Sequence, residues 1–243
     1  MFKRIAQTAG FTGLLAALLL TLLQSFWVAP LILQAETYEK APATQSEAAP
    51  HEHAPGAMAA HEHDAEAWEP EDGWQRVLST TGGNLVVAVG FALMLAALYT
   101  LRAPGRTSQG VLWGLAGFAV FVLAPTLGLP PELPGTAAAD LTQRQIWWIG
   151  TAASTAVALA LIVFGRHWGL KVLGAAILVV PHLIGAPQPP VHASLAPEAL
   201  AAQFKVASLL TNAAFWIAMG VISAWLFRRN NPELHTSGLP HAA

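Results

Sequence analysis

An all-α, polytopic membrane helix bundle is the fold class this chain predicts, and three observations predict it. Only 11% of its 243 residues are charged while 54% are hydrophobic, against about 25% and about 45–50% in ordinary globular chains. The apolar residues come in blocks near or above the ~20 residues with which an α-helix crosses about 30 Å of hydrocarbon. Basic residues fall in pairs beside alternate block ends, as expected of connections that share one side of a membrane. The chain therefore reads as a single membrane domain, 1–243, of about six transmembrane helices, with five possible. It has no cysteine, which removes disulfides, thiolate metal ligands and a thiol nucleophile.

Lys3 and Arg4 precede the first run, Ile5–Leu33. A secretory signal has an apolar core of about 7–15 residues and a small-x-small cleavage site. This run is about twice that length and ends in Leu33-Gln34-Ala35-Glu36, so it predicts an uncleaved span. Five more runs follow: Val77–Leu101, Val111–Leu127, Ile146–Phe164, Trp168–Ile184 and Val206–Phe227. The fifth run is the shortest and is broken by Pro181-His182, so hydropathy alone also permits five spans. Charge decides for six. The amino-terminal side then carries Lys3/Arg4, Arg102/Arg106, Arg166/Lys171 and Arg228/Arg229, and the other side Lys40, Arg76, Arg144 and Lys205. That is eight basic residues against four, the positive-inside pattern with both termini cytoplasmic. Residues 228–243 become a cytoplasmic tail. The short inner connections, 102–110 and 165–171, predict antiparallel hairpins of spans two with three and four with five. Gly110/Gly114 and Gly165/Gly169 have the spacing that lets membrane helices approach closely. Prolines mark 128–145 and Ala186–Pro197 as outer loops.

Residues 36–74 form an external, acidic, histidine-rich loop between spans one and two. Ten of the fourteen acidic residues lie between Glu36 and Asp72, which raises the local concentration of cations. Within it His51-Glu52-His53 is followed, seven residues on, by His61-Glu62-His63-Asp64. Imidazole and carboxylate are ligands for divalent first-row metals, and residues two apart in an extended chain point the same way. Two such units can close around one ion or bind two loosely. The same composition also describes a solvated loop without fixed structure, and the two descriptions are compatible.

Within the spans, polar side chains gather in the outer halves. They are Gln24 and Ser25, then Thr80, Thr81 and Asn84, then Thr151, Ser154 and Thr155, then Ser208, Thr211 and Asn212. Pro125 and Pro181 each lack the N–H that the carbonyl four residues earlier would accept, freeing Phe121 and Ile177. These groups predict an outward-opening vestibule in which Gln24, Asn84, Thr151 and Asn212 line a transport path. His182 is its candidate imidazole, since an ionisable side chain at membrane depth is by default a functional hypothesis. Against this, threonines and serines bond their own helices, and His182 also fits an interfacial helix end. Met94 and Met219 read as packing residues, and Trp27, Trp147, Trp148 and Trp225 as interfacial anchors. No enzyme constellation is present. His61 and His63 lack the four-residue spacing of a helical zinc-protease motif, and no basic cluster points to nucleic acid.

Several stretches together resemble the CbtA family of bacterial cobalt transporter subunits. They are Pro30-Leu31-Ile32-Leu33-Gln34-Ala35-Glu36-Thr37-Tyr38-Glu39, Trp68-Glu69-Pro70-Glu71-Asp72-Gly73 and Gly128-Leu129-Pro130-Pro131-Glu132-Leu133-Pro134-Gly135. To these are added Gln145-Ile146-Trp147-Trp148, Pro181-His182-Leu183-Ile184-Gly185-Ala186-Pro187 and Ser208-Leu209-Leu210-Thr211-Asn212-Ala213-Ala214-Phe215-Trp216. The resemblance implies cobalt uptake associated with cobalamin synthesis, a bacterial inner-membrane location and a small single-span CbtB-like partner. Members of the family are usually described with five spans.

The expected function is uptake of a divalent transition metal, cobalt before nickel, with His51, His53, His61, His63 and His182 as metal ligands. Metal ion, membrane lipid and the single-span subunit are the expected partners. No cofactor is expected beyond the transported ion, and no enzymatic activity. A membrane subunit that binds or senses metal without moving it is the alternative, and a metal exporter is another.

Overall fold

The computed structural model describes residues 2–47 and 70–231, and among these every regular element is a helix, apart from one isolated bridge between Thr136 and Ser194. Helix α1 (Phe2–Leu23) runs through a π turn (Gln24–Val28) straight into α2 (Ala29–Glu47). Then come α3 (Trp74–Leu101) and α4 (Gln109–Phe118), which passes through a second π turn (Ala119–Leu123) into the short α5 (Ala124–Thr126). Helices α6 (Leu141–Phe164), α7 (Trp168–Ile184) and α8 (Glu198–Asn230) complete the chain. Each π turn ends two residues before a proline, Pro30 or Pro125. A proline has no N–H for the carbonyl four residues back, so the widened turn stands where the helical ladder is interrupted anyway.

Local chemistry sets the ends. The Asp140 carboxylate accepts the Gln143 N–H at 2.9 Å and caps α6. Helix α7 stops at Gly185, whose φ of +85° suits glycine and whose N–H reaches the Pro181 carbonyl at 3.1 Å. Helix α8 begins with Glu198 behind Pro197 and ends with Arg228 and Arg229, charges that suit the two ends of its dipole.

Five helical segments are long and apolar enough to span a membrane: Lys3–Lys40, Trp74–Leu101, Gln109–Thr126, Leu141–Phe164 and Glu198–Asn230. The sixth rod, α7, has 17 residues, or about 25 Å of helix, the lower limit for a span. Its traverse is fixed by the chain ends. Arg4 donates to the Asn231 side chain at 3.3 Å, and Asn230 donates to Thr8 Oγ1 at 3.0 Å. The start of α1 and the end of α8 thus share one face of the bundle, with α7 among the rods that run between its two faces. The interior is built of small residues, among them Ala9, Ala16, Ala17, Ala88, Ala92, Ala96, Ala158, Ala207 and Ala224, while Leu14, Leu18, Leu22, Val86, Leu112 and Val163 face outward. Small residues inside and large apolar ones outside suit a bundle in lipid, where close backbone approach replaces the hydrophobic effect between helices.

Helix α8 is the hub, touched by α1, α2, α3, α4 and both π turns. Gly110 and Gly114 serve close approach as expected, but against Gly220 and Trp216 of α8 rather than within a hairpin. The α3–α4 hairpin is held by side chains, while the close backbone partners are α1 for α3 and α8 for α4. Aromatic rings occupy the space between α3 and α4, with Tyr99 against Trp113 at 5.3 Å and Phe91 against Phe121 at 4.8 Å. Rings of that size hold two backbones apart. The α6–α7 hairpin also forms, though its close contact is Gly174 against Ala158, and Gly169 meets nothing. The first helix also continues past Leu33 to Glu47, into the segment expected to be loop. Good helix formers at Gln34, Ala35, Glu36, Glu39 and Lys40 allow this, and Glu36 and Lys40 pair at 3.9 Å one turn apart.

Candidate transport pathway

In the half of the bundle away from Arg4 and Asn231, one amide bonds α1 to α3. Asn84 donates from Nδ2 to Thr21 Oγ1 at 3.0 Å and to Gln24 Oε1 at 2.7 Å. Gly13 permits this packing, since a Cβ there would lie 2.8 Å from the Val89 Cα. Gln24 opens the first π turn, which directs its side chain to Asn84. Two residues singled out from sequence are thus brought together, and Thr21, buried one turn earlier on α1, joins them. Thr21 had given no signal beyond its spacing from Gln24.

The other candidates are placed separately. Asn212 donates to the Ser208 carbonyl of its own helix at 2.9 Å. Thr151, with Thr155 and Thr211, is 1% exposed, and none of the three hydroxyls has a hydrogen-bond partner within the described residues. His182 is half-buried on the last turn of α7, its ring edge-on to Trp147 at 6.1 Å. The Trp147 indole N–H reaches the Pro181 carbonyl at 3.3 Å, so this tryptophan links α6 to α7. Because α7 packs on α6, His182 is brought to Trp147 and not to the Gln24–Asn84 pair or to Asn212. The candidate groups are therefore divided, with Gln24, Asn84 and Asn212 on α1, α3 and α8, and Thr151 and His182 on the α6–α7 hairpin.

His51, His53, His61 and His63 lie outside the described residues. The base of their loop is within them. Arg76 binds both carboxylate oxygens of Glu36, at 2.8 and 3.3 Å, and also Asp72 at 3.1 Å, joining the two ends of the acidic segment. Among the described residues no group of three or more His, Asp and Glu is disposed to hold a metal ion. A cleft of about 900 Å³ opens between the outer loops beside Pro130, Pro131, Glu132, Arg144 and Trp148. Its carboxylate is paired with Arg144 at 3.3 Å.

The inner half is polar again. Tyr99 OH lies 3.0 Å from Ser223 Oγ, Thr8 accepts from Asn230, and Arg228 donates to the carbonyls of Pro104 and Gly105. Between the inner and outer layers stands an apolar core containing Leu20, Leu95, Phe215, Trp216 and Met219. The bundle thus has two polar layers separated by an apolar one.

No curated protein and no solved structure matches the chain. The family model described as a probable cobalt transporter subunit, CbtA, matches residues 2–228. With that match over nearly its whole length, the chain belongs to the CbtA family of probable cobalt transporter subunits.

Proposed function

We propose that this subunit takes up Co²⁺ across the bacterial cytoplasmic membrane, entering from the side of the acidic loop. The observation that carries the reading is the Thr21–Gln24–Asn84 cluster, a neutral set of oxygen donors in the outer half of a bundle whose cargo class is cobalt. In this reading His51, His53, His61 and His63 collect the ion at the surface. His182 receives it at the outer end of α7, and Gln24, Asn84, Thr151 and Asn212 pass it inward. The pairs of basic residues at the inner ends support cytoplasmic termini and a multi-pass inner-membrane protein. A single-span CbtB-like subunit completes the system, which serves cobalamin synthesis. Imidazole-rich sites bind Ni²⁺ at least as well as Co²⁺, so nickel competes at the loop.

The test is radioactive cobalt accumulation in cells lacking other cobalt importers, with this chain expressed beside its single-span partner. Uptake above the empty-vector level is expected. Cobalt bound by purified membranes without accumulation in cells would replace transport by sensing, and a fall in cell cobalt would reverse the direction.

A further inference from the structure

The apolar layer between the two polar ones is continuous on every helix that touches α8 at mid-height. On α1 the buried residues from Thr12 to Thr21 are Gly13, Ala16, Ala17 and Leu20. On α3, Ala88, Ala92, Leu95 and Ala96 separate Asn84 from Tyr99. On α8, Phe215, Trp216, Met219 and Gly220 separate Thr211 from Ser223. From Gly110 to Pro125, α4 and its π turn carry no polar side chain except the indole of Trp113. A hydrated ion therefore cannot pass from Asn84 to Tyr99 in this structure without displacing side chains.

Three rings close the middle of that layer. Phe121 stacks on Trp216 with centroids 5.6 Å apart and planes 3° from parallel, Phe91 lies 4.8 Å from Phe121, and Phe91 lies 4.6 Å from Trp216. Trp148 of α6 flanks Phe121 at 6.2 Å. Phe121 is also the middle residue of the π turn, and Pro125 gives its carbonyl no N–H. The helix on the inner side of this turn is locked, because Gly110, Gly114 and Gly117 leave no room for a Cβ against α8. On its outer side the turn and the short α5 pack on α6, with Pro125 buried. The backbone at Phe121 is thus the point where the helix changes its partner from α8 to α6.

We propose that Phe121, with Phe91 and Trp216, is the gate between the outer and inner polar layers. This rests on the transport reading, in which an ion passes between those layers. The gate is an apolar constriction that excludes water until it opens, a recognised way of blocking a path without charge.

A chain without cysteine allows a direct test. Gln24→Cys, half-buried in the outer layer, reports on that layer and Ser223→Cys on the inner one, each as the single thiol of the full chain in right-side-out vesicles. A membrane-impermeant thiol reagent is added outside. Gln24→Cys should react and Ser223→Cys should not. Adding Phe121→Ala should raise labelling of Ser223→Cys about tenfold or more, equivalent to ~1.4 kcal/mol in the opening equilibrium, while Phe121→Trp leaves it low. Phe121→Leu and Phe91→Ala are read in the same way, so loss of one variant from the membrane does not end the test. Unchanged Ser223→Cys labelling in the variants that reach the membrane, or an unreactive Gln24→Cys, overturns the gate. The assay contains no cobalt. Failure here leaves cobalt uptake standing, whereas failed uptake with a working gate strikes the transport reading alone.

Discussion

Gly220→Ala is the substitution whose effect follows most directly from the packing. A Cβ at Gly220 would stand 2.6 Å from the Gly114 nitrogen and 2.8 Å from the Gly114 Cα, with the Gly110 carbonyl oxygen closer still. Ordinary contact begins at 3.4 Å, so the Gly114 nitrogen alone demands 0.8 Å of separation between α4 and α8 (3.4 − 2.6), and the nearer Gly110 oxygen demands more. The obstacles are backbone atoms, which cannot rotate away. A gap of ~0.5–1 Å forfeits about a quarter to a half of each contact, and a pair of atoms contributes about 0.1–0.2 kcal/mol. Over roughly 20 such pairs along the crossing the loss is ~1–2 kcal/mol, within the about 1–3 kcal/mol usual for overpacking. Purified protein in detergent should therefore melt several degrees lower than wild type, at about 2–4 °C per kcal/mol for a chain of this size. Gly90→Ala is the internal control, because nothing lies within 4 Å of its Cβ. It should match or exceed wild type through better helix propensity. A Gly220→Ala protein that melts with the Gly90→Ala control would refute the crossing of α4 on α8.

The remaining predictions concern the path. Replacing His51, His53, His61 and His63 by Ala together should lower cobalt uptake chiefly when external metal is scarce, since abundant metal reaches the bundle without a collector. A peptide of residues 47–72 should bind Co²⁺ at neutral pH and release it below about pH 6, because ligation needs neutral imidazole and free histidine titrates near ~6.5; calorimetry showing pH-independent binding would return the segment to a solvating role. His182→Ala should depress the maximal uptake rate even at saturating cobalt, and a wild-type maximum at equal membrane abundance would leave His182 as packing for Trp147. Asn84→Leu removes both donors to Thr21 and Gln24 at a cost of about 0.6 kcal/mol each in membrane, so the protein should still insert while uptake falls several-fold. A reporter fused after Arg229 should behave as cytoplasmic and one at Gly56 as external; opposite signals would invert the assigned orientation.

The rods were legible because length and hydropathy decide them one at a time. Each apolar run became a helix, and the basic pairs placed the two chain ends on one side, as the Arg4–Asn231 and Asn230–Thr8 bonds do. What could not be read was partner choice. Gly110 and Gly114 announce a close contact without naming its other side, and chain proximity favoured α3 where α8 has the matching Gly220. Gln24 and Asn84 each stood out as costly amides in an apolar span, yet their pairing depends on α1 packing against α3 and on the π turn. The rings of Phe91, Phe121 and Trp216 gave no signal, because aromatic residues in a membrane run look alike whether they face lipid or each other. Depth could be assigned from sequence, but the facing of each helix could not.

The division of ligand types has a physical reason under the proposed function. Conduction needs binding favourable enough for an ion to enter and weak enough for it to leave. Clustered imidazoles and carboxylates bind first-row metals strongly, and in this chain the two His-Glu-His units lie in the acidic connecting segment between α2 and α3. Inside the bundle the Thr21–Gln24–Asn84 cluster offers neutral oxygens, and no group of three strong ligands occurs among the described residues. A site of that strength at mid-height would hold the ion against both sides. Placing His182 alone at the helix end, beside Trp147 and away from Asn84, keeps the last imidazole at the entrance. If that grading governs turnover, adding a ligand should harm as much as removing one. Asn84→His would place an imidazole between Thr21 and Gln24, and uptake should fall while cobalt retained by the protein rises; faster uptake in that variant would contradict the grading.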